Sequence, residues 1–479
     1  MRKLLFCLSL TVLMGVAAAQ DANYWSSSYG PGGFLVPGAT IARNNDSGVL
    51  FYNPALLAYN TKNAASITGS IYSFQNTKIK NGAGTGLNLN SAAESVVPGI
   101  ASNTIYLNLK NNPITVAYAL INDPVISYSA SQRRDDKFNV LNDSYSPGPE
   151  FFVGQYSNSN SVTQTTAVLA FGKNITPKLA AGLSFNVNIR KQSFLLDYKS
   201  RALVNNGNPY IPPIVNVSEY FQQHNTNIGL GIKAGFAYDI AERHHLGLLI
   251  SAPLIHLYST ADLLSDLIVN NLQLVPGDTL YLLANTKQTG LKSKWKMPLS
   301  TALGYTYDYA GGQIYFAMEY FAKVNGYNVI TPRNDYFIRP DTANNASTSR
   351  LLNVSDARKA IINFSLAVTF PLKDLVTGFC SVRTDFNYAA KSLYDSSNSG
   401  YIANTGSWNL YHAQLGANFK KRKFNLRSGL LLSYGATNSY KQTVNYDKPN
   451  ENNLLLGDPT PTKATRFSVG LMISYIHNF

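Results

Sequence analysis

The stretch "RFSVGLMISYIHNF", residues 466–479, decides the fold because its side chains alternate between two kinds. One set is mostly apolar and aromatic: Phe467, Val469, Leu471, Ile473, Tyr475, His477 and Phe479. The other set, which begins at Arg466, is mostly small or polar. Successive side chains of a strand point to opposite faces, so this pattern predicts a strand with one apolar face. Strands usually have about five or six residues, so this one is long.

The same alternation recurs along the chain and predicts an all-β protein. Fourteen segments carry it: 65–74, 100–109, 114–122, 162–172, 179–195, 226–239, 245–257, 298–308, 312–322, 360–370, 379–389, 408–419, 423–435 and 465–479. The connections between them alternate in length, from two to five residues on one side to long loops such as 123–161 and 258–297 on the other. Transmembrane barrels have this layout and an even number of strands. We therefore expect residues 64–479 to form a 14-stranded antiparallel transmembrane β-barrel.

The N-terminus predicts export. Residues 1–19 combine a basic start, an apolar run and an Ala-Ala-Ala end, which is typical of a signal peptide recognised by the general secretory route. Only Cys380 is left after removal of this segment, so neither an intramolecular disulfide nor a cysteine-based metal site is expected. The net charge of +14 arises from scattered residues, and in an exported chain it does not indicate nucleic-acid binding. Charged residues are only 14%, below the roughly 25% of soluble proteins.

Residues 20–63 precede the first strand and lack its alternation, although they are rich in apolar residues. A segment inside the barrel, acting as a hatch or plug, would bury these residues. Asn53 is a suitable helix cap, and Pro54 suits the first position of a helix. We therefore expect 20–63 to be a hatch that starts a short helix at Pro54.

The stretch "GATIARNNDSGVLFYNPALLA", residues 38–58, resembles the hatch of the long-chain fatty-acid transporter family, the FadL and TodX type of outer-membrane transporter for hydrophobic compounds. The matching residues are Gly38, Ala39, Asp46, Asn53, Pro54 and Ala55. The family usually has Gly after Asn-Pro-Ala, where this chain has Leu56. The resemblance implies a monomeric barrel in the outer membrane of a Gram-negative bacterium. It also implies passive uptake of hydrophobic molecules such as long-chain fatty acids, by lateral diffusion into outer-membrane lipid and without a cofactor.

Two segments are candidates for the entry and the exit of such a path. In loop 258–297, the spacing of Leu263, Leu264, Leu267, Ile268 and Leu272 predicts a helix with one apolar face. That face could capture a hydrophobic substrate or simply cover the mouth of the barrel. The third strand ends at Asn122, Asp123 and Pro124, and proline cannot donate to a strand ladder. The family's lateral opening is attributed to a kink in its third strand, so these residues match that kink or simply end the strand.

Several charged residues fall on the inward face of the predicted strands. Lys233, Arg383 and Arg427 are candidates for binding the polar end of a substrate, since a cation forms strong hydrogen bonds with a carboxylate. Alternatively, these cations and the inward acids Glu319 and Asp385 form a structural network that braces the hatch against the wall.

Two other classes of function are alternatives to transport. The six histidines show neither a nucleophile motif nor metal-ligand spacing, so neither an enzyme nor a metal site is expected. Some relatives with the same Asn-Pro-Ala hatch are partners in secretion machines, so an accessory role in secretion or assembly stays open.

Overall fold

The computed structural model describes residues 22–25, 40–43, 52–60, 62–109, 112–207, 210, 213–275, 278–339, 347–394, 400–402 and 408–479. The predicted signal peptide and Gly38, Ala39 and Asp46 of the predicted hatch motif lie outside these residues. Among the described residues, no helix is long and apolar enough to cross a membrane.

Strands dominate the described chain. They are β1 (Ala64–Ile79), β2 (Leu89–Leu109), β3 (Asn112–Phe138), β4 (Glu150–Asn174), β5 (Leu179–Leu203), β6 (Ile214–Ala241), β7 (His244–Ser251), β8 (Ile255–Val275), β9 (Asp278–Leu291), β10 (Ser300–Tyr309), β11 (Gly312–Phe321), β12 (Val324–Ile330), β13 (Ile338–Arg339), β14 (Val354–Arg358), β15 (Ile361–Lys373), β16 (Val376–Asp385), β17 (Tyr401–Ile402), β18 (Asn409–Lys420), β19 (Phe424–Lys441) and β20 (Pro461–Asn478). One α-helix, α1 (Thr348–Leu351), and 3-10 helices at Pro54–Tyr59, Lys391–Tyr394 and Glu451–Asn453 complete the described secondary structure.

Fourteen of these strands close an antiparallel barrel. Each pairs with the next in the order β1, β2, β3, β4, β5, β6, β7, β10, β11, β15, β16, β18, β19, β20. β20 then pairs with β1 from Ala64↔Asn478 to Ile79↔Ala464, which leaves no open edge. Each of the fourteen predicted segments overlaps one barrel strand, so the predicted fold class is confirmed.

The barrel is apolar on its outside, as a lipid-facing wall requires. On the last strand, Phe467, Leu471, Ile473 and Tyr475 are exposed, whereas Met472, Ser474 and Ile476 are buried inside. On β5 and β6 the outward side chains change from apolar to polar between the paired Ile189 and Ile228 and the paired Lys191 and Thr226. This change marks the upper edge of the membrane-spanning belt on that side of the barrel.

Beyond this edge the predicted loops differ from the structure. β3 continues to Phe138 and β4 begins at Glu150, so much of the predicted loop 123–161 is strand that extends the wall. β8 pairs with the upper part of β6 from Asn216↔Asn270 to Leu230↔Ile255, and β9 pairs with β8. Above the membrane-spanning belt these strands pair with one another, and the short strand β13 pairs with β9; we call this part of the wall the extension.

The predicted helix over 262–274 is wrong, because this segment lies within β8. Leu263 is 2% exposed and belongs to a large core of buried apolar residues, and Leu267 packs against this core. Leu264 and Ile268 lie on the opposite face, because a strand turns every second side chain the same way. Asn271, with φ 59°, interrupts the register, and the next residue, Leu272, is again fully buried. The apolar spacing that suggests a helix is therefore produced by a bulged strand.

Candidate functional site

Three N-terminal segments, residues 22–25, 40–43 and 52–60, pack against the inner wall of the barrel. The last contains the 3-10 helix Pro54–Tyr59, which starts as predicted: Pro54 occupies the first turn, and Asn53 Oδ1 accepts a hydrogen bond from Ala55 N at 3.0 Å. Asn53 Nδ2 donates to the carbonyl oxygens of Ile41 at 2.6 Å and of Phe236 at 3.2 Å. One fully buried side chain thus joins two N-terminal segments to β6. The division into a hatch of residues 20–63 and a barrel stays a prediction.

A row of glycines on neighbouring strands lets these segments approach the wall. The row, which we call the glycine seat, consists of Gly172, Gly182, Gly235, Gly247 and Gly304 on β4, β5, β6, β7 and β10. A Cβ atom at Gly182 would lie 2.3 Å from Pro54 C, and one at Gly247 would lie 2.1 Å from Ile41 O. Real Cβ atoms do not approach other atoms so closely, so these positions require glycine.

Two buried carboxylates hold residues 22–25. Asp385 Oδ1 accepts a hydrogen bond from Trp25 N at 3.0 Å, and the Asp385 carbonyl accepts one from Asn23 Nδ2 at 2.7 Å. Glu319 Oε2 accepts a hydrogen bond from Trp25 Nε1 at 2.8 Å, while its Oε1 accepts one from Ser300 Oγ at 2.7 Å. Hydrogen bonds to a charged acceptor are stronger than those between neutral groups. This arrangement favours the bracing network that the sequence left as an alternative.

An ion pair near the short-turn end of the barrel holds residues 40–43. Arg43 Nη1 lies 2.6 Å from Asp239 Oδ2, and its guanidinium lies over the ring of Tyr59, 4.4 Å from the centroid. His245 contacts Asp239 through Nδ1 at 2.6 Å and Asp308 through Nε2 at 3.1 Å. The N-terminal segments are thus tied to β6, and through His245 and Asp308 to β7 and β10.

A cavity of about 260 Å³ lies between the N-terminal segments and the wall. Its N-terminal side is formed by Asn23, Tyr24, Trp25, Ile41 and Tyr52. Gln164, Thr166, Asn186, Asn188, Arg190 and Lys233 contribute polar groups from β4, β5 and β6. Leu249, Leu254, Trp295, Met297 and Phe321 contribute apolar or aromatic surface. Pockets for drug-sized ligands occupy about 300–1,000 Å³, so this cavity suits a small organic molecule.

The wall beside the cavity has an interrupted ladder at the predicted kink. β2 and β3 pair only from Leu109↔Asn112 to Ile100↔Ile121, and above Ile121 the described residues of β3 pair with β4 alone. Val125 is an extra residue in the β3–β4 register, between the pairs Pro124↔Thr163 and Ile126↔Val162. Ile121 and Val125, on either side of the kink residues 122–124, both line the cavity. We call this break in the β2–β3 ladder the wall gap.

The wall gap is closed again farther up. Ser129 N donates a hydrogen bond to Ser91 Oγ at 2.9 Å, and Gln132 Nε2 donates one to the Asn88 carbonyl at 2.5 Å. Pro124 therefore does not end the strand, as one reading of the sequence suggested, because β3 continues beyond it. Above Ile121, β2 and β3 lack backbone pairing next to the cavity, and a kink that opens the wall there stays a prediction.

The predicted substrate-binding cations occupy different surroundings. Lys233 lines the cavity, where it and Glu319 attract each other electrostatically. Arg383 is buried and interacts with Asp385 and Tyr52, so it belongs with the groups that hold the N-terminus. Arg427 is buried but does not line this cavity. The structure thus brings only Lys233 of the three cations to the cavity.

Above the cavity, a large apolar core fills the extension. Phe221 stacks on Tyr401 with a centroid distance of 3.4 Å, which attaches the short strand β17 to β6. Glu219, nine residues above the edge of the lipid-facing belt on β6, is fully enclosed and accepts hydrogen bonds from the hydroxyls of Tyr198 and Tyr401. Burial raises the pKa of the Glu219 carboxyl above its usual range, and the two hydroxyls lower it in part.

Sequence reasoning missed the glycine seat and the role of Trp25. It also missed the amide groups at the cavity, although Asn186 and Asn188 fall on the polar face of a segment with clear alternation. A glycine inside a strand often marks a close approach of another backbone, so the seat had a recognisable signal. Among the described residues, no three His, Cys, Asp or Glu side chains cluster in a way that could hold a metal ion.

No protein-family model and no curated protein matches this chain. Solved structures do match over nearly its whole length. The chain has the fold of the FadL-type transporters. The toluene transporter TodX of Pseudomonas putida has a TM-score of 0.55 at 14% identity, with 97% of this chain and 100% of that chain covered. A FadL homologue of Pseudomonas aeruginosa has a TM-score of 0.54 at 13% identity, with 97% and 99% covered. The toluene transporter TbuX of Ralstonia pickettii has a TM-score of 0.53 at 12% identity, with 94% and 98% covered.

Proposed function

We propose that this chain is an outer-membrane channel of a Gram-negative bacterium that takes up small hydrophobic molecules by lateral diffusion. A molecule enters from the long-loop side, occupies the cavity against the N-terminal segments and leaves through the wall gap into the bilayer. The observation that supports this path is that Ile121 and Val125, which flank the kink, also line the cavity. The fold shared with TodX, TbuX and the FadL homologue is consistent with this function.

Physical chemistry favours a sideways exit. The N-terminal segments rest against the inner wall and form one side of the cavity, where they would act as the hatch and oppose passage along the barrel axis. A hydrophobic molecule gains about 0.8 kcal/mol for each methylene that it transfers from water to hydrocarbon. This transfer drives uptake without an energy source or a cofactor. We propose that the channel works as a monomer, since the path lies within one barrel.

The capture surface is also a proposal. Leu264, Leu267 and Ile268 are partly exposed on the β8–β9 hairpin, where a hydrophobic molecule could first bind. Leu263 and Leu272 are buried in the core and would support this surface rather than contact the substrate.

The wall gap can be tested by straightening β3. Deleting Val125 removes the extra residue, and Pro124→Val restores a backbone donor; both changes together should extend the β2–β3 ladder. The control is deletion of Leu372, the extra residue between Pro371↔Thr377 and Lys373↔Val376 on the opposite side of the barrel. The full-length chain is produced in a Gram-negative host without such a channel, and uptake of radiolabelled toluene and oleate is measured.

We expect uptake several-fold above the vector control for the unaltered chain and the Leu372 deletion, and vector-level uptake for the straightened variant. Full uptake by a folded straightened variant would refute the lateral exit. A folded chain without any uptake would refute the channel function. Co-purification of a stoichiometric partner with such a chain would instead favour the accessory role in secretion.

A further inference from the structure

One side of the cavity is a continuous set of side-chain amides and hydroxyls, which we call the amide shelf: Gln164, Thr166, Asn186 and Asn188 on β4 and β5. Gln164 Nε2 and Thr166 Oγ1 both donate to Asn188 Oδ1, at 3.2 Å and 2.9 Å. Asn188 Nδ2 donates to the Asn186 carbonyl at 3.1 Å. These contacts fix the shelf before any substrate arrives. Ile121 pairs with Thr166 and Asp123 with Gln164, so the shelf lies beside the wall gap.

Asn186 has hydrogen-bonding capacity left over. Its side chain is 4% exposed and lines the cavity, and its amide has no hydrogen-bond partner in the described part of the chain. A side-chain amide can donate two hydrogen bonds and accept two. Because Asn186 lines the cavity, its amide is available to bond to a polar group of a ligand or to water there.

The neighbouring strand β6 leaves room for such a group. Gly231 pairs with Asn186, and a Cβ atom built there would lie 3.7 Å from Asn186 Cβ, which is ordinary contact. Gly231 therefore differs from the glycine seat: the N-terminal segments do not press against it. Its lack of a side chain keeps open the space beside the shelf.

Elsewhere the cavity has apolar side chains against which the hydrophobic part of a ligand would lie. Trp25, Ile41, Leu249 and Phe321 surround it from the N-terminal segments, β7 and β11. The nearby charges have partners within the protein. The Lys233 ammonium and the Glu319 carboxylate attract each other, and the Arg190 guanidinium lies over the ring of Trp295, 5.0 Å from its centroid. The shelf itself consists of uncharged side chains, Gln164, Thr166, Asn186 and Asn188.

We propose that the cavity selects small amphiphiles with one uncharged oxygen function, such as an alcohol, phenol or ketone, over hydrocarbons of the same size. This inference rests on the proposed function and names its substrate class. The oxygen of the substrate bonds to the Asn186 amide, and its apolar body lies against Trp25, Ile41 and Phe321. A hydrocarbon would displace water from Asn186 without replacing its hydrogen bonds, which weakens binding.

Binding is measured on the full-length chain in lipid nanodiscs with three probes of one ring size: cyclohexanol, methylcyclohexane and cyclohexanecarboxylate. The reporter is tryptophan emission. Of the three tryptophans, Trp25 and Trp295 line the cavity, and Trp408→Phe removes the third from the background. Asn186→Leu removes the free amide, and Asn186→Ser keeps a hydrogen-bonding group. Asn285→Leu makes the matched change at an exposed position of β9.

We expect cyclohexanol to bind about three- to tenfold more weakly to Asn186→Leu, as for the loss of one hydrogen bond, and Asn186→Ser to retain most of the affinity. Methylcyclohexane should bind Asn186→Leu at least as tightly as the parent, and Asn285→Leu should change nothing. Partition of a probe into the nanodisc lipid is the same for all variants, so it cancels when two variants are compared with the same probe.

Three results would overturn the proposal in separable ways. If the parent binds methylcyclohexane as tightly as cyclohexanol, and Asn186→Leu alters neither, the shelf does not select, while the channel function stands. If cyclohexanecarboxylate binds most tightly, a charged group is selected and the uncharged assignment is wrong. If no probe changes the emission and no labelled compound is taken up, the proposed function fails as well.

Discussion

Replacing Gly235 by alanine should loosen the N-terminal segments without unfolding the barrel. The added Cβ atom would lie 1.9 Å from Asn53 Oδ1 and 3.0 Å from Pro54 Cδ, so the Asn53 side chain must move. That side chain makes three hydrogen bonds, with Ile41 O, Phe236 O and Ala55 N. At about 0.5–1.5 kcal/mol each, their loss amounts to about 1.5–4.5 kcal/mol of docking free energy. The fraction of molecules with undocked segments should rise about 10- to 2,000-fold.

Hydrogen exchange at residues 52–60 measures this change, since exchange there requires undocking. Gly231→Ala is the matched control, because it makes the same substitution on the same face of β6, where the new Cβ atom meets only ordinary contacts. Asn53→Ala should accelerate exchange by itself and remove most of the effect of Gly235→Ala in the double variant. If residues 52–60 are equally protected from exchange in folded Gly235→Ala and folded Gly231→Ala, the close contact between Gly235 and Asn53 does not hold these segments in place.

Three further changes test other parts of the structure. Leu272→Ala should cost the extension about 2–5 kcal/mol, against less than about 1 kcal/mol for exposed Leu283→Ala, as measured by hydrogen exchange in β8 and β9. Glu219 has a higher pKa in the folded chain than in the unfolded chain. The stability that it contributes is therefore fully present below the ordinary glutamate pKa of about 4.3 and is lost as pH rises through the folded pKa. Amide hydrogen exchange near β17 should therefore accelerate with pH by more than the intrinsic chemical rate does, and Glu219→Gln should remove this additional acceleration. If the additional acceleration persists in Glu219→Gln, Glu219 is not its source. Trp25→Phe removes the hydrogen bond to Glu319, worth about 1.5–3 kcal/mol, so exchange at residues 22–25 should quicken at least tenfold; unchanged protection would contradict this anchor.

The barrel could be predicted because its signal is local. Alternation over ten residues identifies a lipid-facing strand wherever the strand lies, so fourteen segments predicted fourteen strands. The same reasoning failed over residues 262–274, where strand pairing with β6 and a bulge at Asn271 imitate the spacing of a helix. A pattern confined to this segment does not distinguish these cases, because the paired residues of β6 lie about 40–55 residues away in sequence.

The sequence by itself also determined the cap at Asn53 and Pro54, since capping depends on neighbouring residues. Only the tertiary structure decided what these residues do. Gly235 accepts Asn53 because two backbones meet there, and Asn186 faces a cavity because the N-terminal segments contact β5 at Gly182 rather than at Asn186. Such sites arise from contacts between segments more than a hundred residues apart. A sequence pattern predicts which face of a strand a side chain occupies. The contacts of that side chain depend on how the closed barrel and the N-terminal segments pack together.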